Sequence, residues 1–133
     1  MILGDIMTPA VVTIGMDDPL RVASDIFKRT RFHHLLVVES NTLYGVLSDR
    51  DLLKAMSPNI GTAAETARDI ATLNKRVHQV MSRKPITLEP NATIADAVAI
   101  FQTHAVSCIP IVDEERHPVG ILSWRDLLGA MAA

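Results

Sequence analysis

The apolar positions of this chain change period several times, and each change marks an element. Residues 11–14 (VVTI) form a β-branched run, the pattern of a short strand. Asp17, Asp18 and Pro19 follow, acid before a first-turn proline, which is a helix start. Leu20, Ala23, Ile26 and Phe27 then recur at helical spacing, with Arg21, Lys28 and Arg29 left on the polar side. Residues 35–38 are continuously apolar, as expected of a strand covered on both faces. Ser40, Asn41 and Thr42 supply a turn, residues 44–47 the answering strand, and Ser48 the start of a second helix.

The same order returns further on. Residues 85–88 read as a strand, and Thr93 with Asp96 three positions later opens a helix that runs through Phe101. Strands at 109–112 and 119–122 flank a turn, and a last helix begins at Ser123. Each unit is thus β-α-β-β-α. Between the units, residues 57–61 (SPNIG) break the helix, and 62–80 resume helical periodicity with Ala63, Ala67, Ile70, Leu73 and Val77 on one side. This predicts an ordered connector helix packed on the module; a loose linker would be rich in Gly and Ser.

The repetition extends to residue identities. SDRDLL at 48–53 returns as SWRDLL at 123–128, and from Gly45 to Met56 nine of twelve positions match those 75 residues on. Unrelated segments would share roughly one. Upstream the spacing is 74, with Met7/Met81, Thr13/Thr87, Phe27/Phe101 and Val38/Val112 coinciding, so one residue was gained or lost in the turns. The expected fold class is α/β (α+β): two repeats, 1–57 and 76–133, stacked about a pseudo-twofold axis, with a helical connector at 58–75. A unit of roughly 55 residues is marginal alone, and pairing two of them buries their faces. Such a pair also creates two related clefts.

Composition narrows the function classes. A net charge of -2 leaves no basic stripe to track phosphate backbones, so a nucleic-acid partner is not expected. No apolar run reaches the roughly 18 residues that span a bilayer, and Gly4-Asp5 follows Met1-Ile2-Leu3 too soon for a signal peptide. The expectation is a cytoplasmic protein with no membrane partner. The lone cysteine, Cys108, lies in an apolar run and reads as a small buried hydrophobe. His33 and His34 are neighbours that a strand would point to opposite faces, and His78, His104 and His117 are dispersed, so no metal site is expected. No nucleophile–base pair or acid–base motif appears, so the chain does not read as an enzyme.

The repeated Ser-x-x-Asp remains. Taken once, it is a helix cap: Ser48 and Ser123 at the N-cap, Asp51 and Asp126 closing a capping box. Taken twice, it also suits a ligand. A helix start offers unpaired N–H groups to phosphate, and a carboxylate held there can accept two hydrogen bonds from a cis-diol such as ribose. Arg50 and Arg125 lie inside the motifs and offset repulsion between carboxylate and phosphate.

With these motifs the chain resembles a tandem pair of CBS domains, the Bateman module. The resemblance rests on Asp5-Ile6-Met7-Thr8-Pro9 with Val80-Met81-Ser82, on the stretches 34–39 and 108–113, and on 45–52 with its copy. It covers almost the whole chain. It implies a regulatory, energy-sensing module that binds AMP, ADP, ATP or S-adenosylmethionine in the clefts between its repeats, with no obligatory cofactor. Carried over by position, it implies ribose on Asp51 and Asp126. Phosphate would lie on Ser48, Arg50, Ser123 and Arg125 with His33 and His34, and adenine near Thr13, Ile14, Thr87 and Leu88. The copies differ: His33-His34 is matched by Ser107-Cys108 and Asp49 by Trp124, so the clefts should be unequal, with one binding tightly. Leu36 also stands where the family commonly has the proline seen at Pro110.

The alternative reading is a structural module with empty clefts, serving homodimerisation or docking on a protein target that the sequence does not identify. Leu52, Leu53, Ala55 and Met56, and again Leu127, Leu128, Ala130 and Met131, sweep a wider apolar arc than one packing face needs. This predicts a dimer through Leu53, Met56, Leu128 and Met131.

Overall fold

Strands of the first half join into a four-stranded sheet, β1 (Thr13–Gly15), β2 (His34–Glu39), β3 (Thr42–Ser48) and β4 (Ser82–Arg83), in that order. The computed structural model describes residues 1–132. β1 and β2 are parallel, Thr13 opposite Leu36, with α1 (Leu20–Arg29) as the crossover. β3 leads through Ser48 into α2 (Asp49–Ala55). Ile14, Leu20, Ala23, Leu35, Val37, Leu47 and Leu52 form the core with Val77 and Met81. α3 (Ala67–Ala71) is a short piece of the connector.

The second half repeats the plan with α4 (Ile94–Thr103), β5 (Cys108–Val112), β6 (Pro118–Ser123) and α5 (Trp124–Ala132). Its first strand is reduced to one parallel bridge, Leu88 to Ile111, where 85–88 is expected from sequence. Pro110 has no N–H to donate where its counterpart Leu36 donates to Val12 O, and the bonds that remain are Leu88 N to Pro110 O and Val112 N to Leu88 O. Its core is Leu3, Ala97, Phe101, Ile109, Ile111, Leu122 and Leu127.

Leu3 in that core and Met81 in the other reveal an exchange. The segment that opens the first repeat packs on the second: Leu3 N donates to Ala92 O, and Thr8 bridges Ile121 in both directions at 2.9 Å. β4, which opens the second repeat, pairs with β3, with Val46 opposite Ser82. The two compact units are therefore Val12–Glu39 with Tyr44–Lys84, called here the first unit, and Met1–Val11, Ser40–Leu43 and Pro85–Ala133, the second. These units cut across the boundaries expected at 57/58 and 75/76, because backbone pairing, not chain order, assigns each leading segment.

The repeat's glycines show how tight that pairing is. A Cβ on Gly45 would stand 2.6 Å from Met81 Sδ and 2.7 Å from Ser82 O, and one on Gly120 would collide with Met7 Sδ. Each invariant glycine of the duplication thus receives the methionine of the opposite repeat's leading segment.

The one-residue offset between the copies lies in the hairpins. β2 and β3 are joined through Ser40 and Asn41, both at positive φ. β5 and β6 take a longer turn in which Asp113 Oδ1 accepts from the N–H groups of Glu115 and His117, Arg116 sits at φ 64°, and the register shifts between Ile111 and Val112.

The connector departs most from expectation. Residues 57–66 run as turns, Thr66 caps α3 with Asp69, and after a 3-10 turn at Thr72–Asn74 the chain becomes extended at Lys75. Ala63, Ala67 and Ile70 are exposed, and only Val77 of the expected stripe is buried. The periodicity of 62–80 is therefore not that of one packed helix, since a late cap and an early extended residue leave five helical positions between them. No helix among the described residues is long and apolar enough to cross a membrane.

Candidate functional site

β3 ends at Ser48 with extended backbone, and α2 begins at the next residue. Ser48 Oγ accepts from Asp51 N at 3.0 Å, and Asp51 Oδ2 accepts from Ser48 N at 3.0 Å, so the capping box forms as expected. The box holds the Asp51 carboxylate at the strand-to-helix corner through Oδ2; Oδ1 takes no part in it. β2 starts beside the same corner. Asp49 N donates to the carbonyl of His33, and His33 Nδ1 lies 2.8 Å from Asp49 Oδ2.

His34 opens β2 and is half-buried. Burial pushes its pKa below the usual value; Asp49 and Asp51 oppose that shift and His33 adds to it. The shift favours the neutral imidazole, so His34 is a weaker source of charge for a phosphate than an unshifted histidine. Arg50 projects from the exposed side of the first turn. The first unit thus gathers His33, His34, Ser48, Asp49, Arg50 and Asp51 at one corner. Of the two adenine candidates here, Thr13 is exposed on β1, but the Ile14 side chain is 4% exposed and belongs to the core.

The second unit repeats the corner with changes. Asp126 Oδ2 accepts from Ser123 N at 2.9 Å, and Asp126 N donates to Ser123 Oγ at 3.3 Å. Thr8, on the exchanged segment, adds a contact the sequence did not point to: its Oγ1 donates to Asp126 Oδ1 at 3.3 Å and Oδ2 at 3.4 Å. The only signal for it was position, since Thr8 is the counterpart of Ser82 at the spacing of 74. Trp124, in the place of Asp49, lies against Phe101 with ring centroids 4.6 Å apart and is 44% exposed. Arg125 is exposed, as Arg50 is. Cys108 is buried and its thiol is pushed up to about 12, an inert packing residue.

Thr87 and Leu88 do not join this corner. They line a cleft of about 430 Å³ with Glu89, Asn91, Val112, Asp113 and Arg116. Cys108 pairs with Ser123 and Val112 with Pro118, so this cleft opens at the end of β5 away from the Ser-x-x-Asp motif. Among the described residues no group of three His, Cys, Asp or Glu side chains is placed to hold a metal ion.

The residues expected to form a dimer surface divide. Leu53, Leu128 and Met131 are 71%, 61% and 66% exposed, whereas Met56 packs against the core of its own unit. Leu52 and Leu127, one position earlier in each helix, are buried.

These corners and the fold that carries them match known proteins. The CBS domain model matches residues 3–58 and 77–133, and the chain belongs to the CBS-domain family as a tandem pair. A CBS domain-containing protein of Bacillus subtilis, YhcV, is 32% identical over 92% of this chain and 80% of its own length. The structure of the Arabidopsis thaliana CBS-pair protein CBSX2 in complex with AMP is similar with a TM-score of 0.80 at 25% identity, over 98% of this chain and 96% of that one. The CBS domain pair of protein MJ0100, in complex with 5′-methylthioadenosine and S-adenosylmethionine, shares the fold with a TM-score of 0.79 at 21% identity, over 99% and 96% of the two chains.

Proposed function

We propose that this chain is a regulatory module that reversibly binds an adenosine derivative at its two Ser-x-x-Asp corners and passes the resulting change to a partner protein. The observation that carries the reading is the pair of capped carboxylates. Both corners hold an aspartate rigidly in a capping box beside an exposed arginine, 75 residues apart in sequence and alike in geometry. A carboxylate so fixed is preorganised to take a ribose diol, because little side-chain entropy is left to lose on binding. The likeness to a CBS pair carrying AMP supports the same ligand class. Asp51 and Asp126 hold ribose; Ser48, Arg50, Ser123 and Arg125, with His33, face what is attached at its 5′ carbon. The corners are unequal, since Thr8 already donates to Asp126 while at the first corner His33 is tied to Asp49.

A thermal-shift series with AMP, ADP, ATP, S-adenosylmethionine and NAD tests this. Ligand at a hundred times its dissociation constant stabilises by about 2.7 kcal/mol. Asp51→Ala and Asp126→Ala should each remove part of the shift. A melting temperature that no adenosine derivative moves would sink the reading.

A second reading is favoured by one further observation, the exposure of Leu53 and Leu128 at matching positions of α2 and α5, with Met131 exposed further along α5. Leu53 on α2, and Leu128 with Met131 on α5, each offer an apolar contact to a second copy of the chain. The two readings are compatible, as dimerisation leaves the polar first turns of both helices free.

A further inference from the structure

The two motifs, Ser48-Asp49-Arg50-Asp51 and Ser123-Trp124-Arg125-Asp126, differ at a single position. At the first corner that position adds a second carboxylate, and the nearest imidazole is tied to it, His33 Nδ1 to Asp49 Oδ2 at 2.8 Å. Asp49 N also donates to the His33 carbonyl, so main chain as well as side chain holds the pair in register. The motif's one arginine, Arg50, is exposed and stands in sequence between two aspartates. With His33 neutral the corner carries a net negative charge; with His33 protonated it is at most balanced. At the second corner the motif carries one aspartate, Asp126, beside an exposed Arg125. Thr8, which donates to Asp126, and Trp124, in the place of Asp49, carry no charge.

Like charges a few ångströms apart at a partly shielded surface weaken binding, and opposite ones strengthen it. We propose that Asp49 and Trp124 sort adenosine ligands by charge: the Asp49 corner takes a derivative whose 5′ substituent is uncharged or cationic, such as a thioether or sulfonium, and the Trp124 corner takes a phosphorylated one. The inference rests on the nucleotide-binding reading above and gives each corner its own ligand class. Asp49 is its specificity-determining residue. The exposed Trp124 leaves room for phosphate without repulsion, and its ring, held by Phe101, reports on binding at that corner alone because the chain has one tryptophan.

Calorimetry on chains with one corner disabled tests the assignment. In Asp126→Ala, which leaves the Asp49 corner, S-adenosylmethionine should bind at least tenfold tighter than ATP; in Asp51→Ala the order should reverse. Asp49→Asn in the Asp126→Ala chain should narrow the preference threefold or more, and raising salt should narrow it too. ATP should change tryptophan fluorescence in the wild type, and S-adenosylmethionine at low concentration should not. If Asp→Ala disturbs the cap, Asp126→Asn and Asp51→Asn keep an acceptor for the serine N–H and replace it. Equal preferences in the two single-corner chains, or an Asp49→Asn chain with its ratio unchanged, would overturn the sorting while leaving nucleotide binding intact. Absence of binding by every derivative in the wild type would instead overturn the functional reading and the sorting with it.

Discussion

Gly45 and Gly120 show how a single position serves the duplicated plan. Each lies where a methionine from the other repeat's leading segment crosses the strand. At Gly45 a new methyl group would meet backbone as well as sulfur, since Ser82 O is 2.7 Å from it. At Gly120 it would meet only the side chain of Met7, so the two alanine variants should not behave alike. Gly45→Ala should cost about 1–3 kcal/mol, the usual scale of overpacking. Gly120→Ala should cost less, and combined with Met7→Ala it should fall short of additivity. Denaturant unfolding of the single and double variants measures both.

His34 makes a second prediction at this scale. Its folded pKa lies below the usual 6.5, chiefly through burial. The unfolded chain therefore takes up this proton first as pH falls. Its contribution to stability is complete above about 6.5 and is lost as pH drops from there toward the folded value. Melting temperature should fall through that window in the wild type and flatten in His34→Gln.

Among the elements, the caps are the features most directly legible in sequence. Ser48 with Asp51, Thr93 with Asp96 and Ser123 with Asp126 all form reciprocal boxes at the expected positions. Replacing Ser48 or Ser123 with alanine should lower stability by about 1 kcal/mol each. The Asp96 carboxyl is held below the ordinary carboxylate range by hydrogen bonds from Thr93, so its support is present above the unfolded value and is lost as pH falls through the folded one. The connector was misread at this scale because small and apolar residues recurred every three or four positions. Periodicity records what a helix would bury, but Ala63, Ala67 and Ile70 meet no core. Thr66 and Asp69 were the better signal, a capping pair in mid-segment that places a helix start at Ala67. The strand expected at 85–88 shrank because its partner strand carries Pro110, which has no N–H to give it, and a single bridge remains.

At the scale of the molecule, exposed leucines bear on assembly. Leu53 and Leu128 are hydrophobic side chains at matching helix positions with most of their surface in water. Sedimentation at micromolar concentration should give a dimer mass, and Leu53→Lys with Leu128→Lys should give a monomer of nearly unchanged melting temperature, because exposed substitutions cost little within one subunit. A wild-type monomer would count against the dimer surface. Met56 is not part of it; its packing against the first unit's core predicts that Met56→Lys unfolds the chain rather than dissociating it.

Sequence alone determined the duplication, the β-α-β-β-α order of the first repeat and the α-β-β-α order of the second, and the three caps, two of which form the Ser-x-x-Asp corners. All of these are local or repeated, and a local pattern needs no partner to be read. Tertiary structure decided which leading segment belongs to which unit, because strand pairing joins residues such as Thr8 and Ile121 that are far apart in the chain. It also decided that Thr8 reaches Asp126, that His33 is tied to Asp49, and that the Ile14 side chain packs in the core. Those facts depend on where distant backbones come to rest, which hydrophobic period and residue type do not encode.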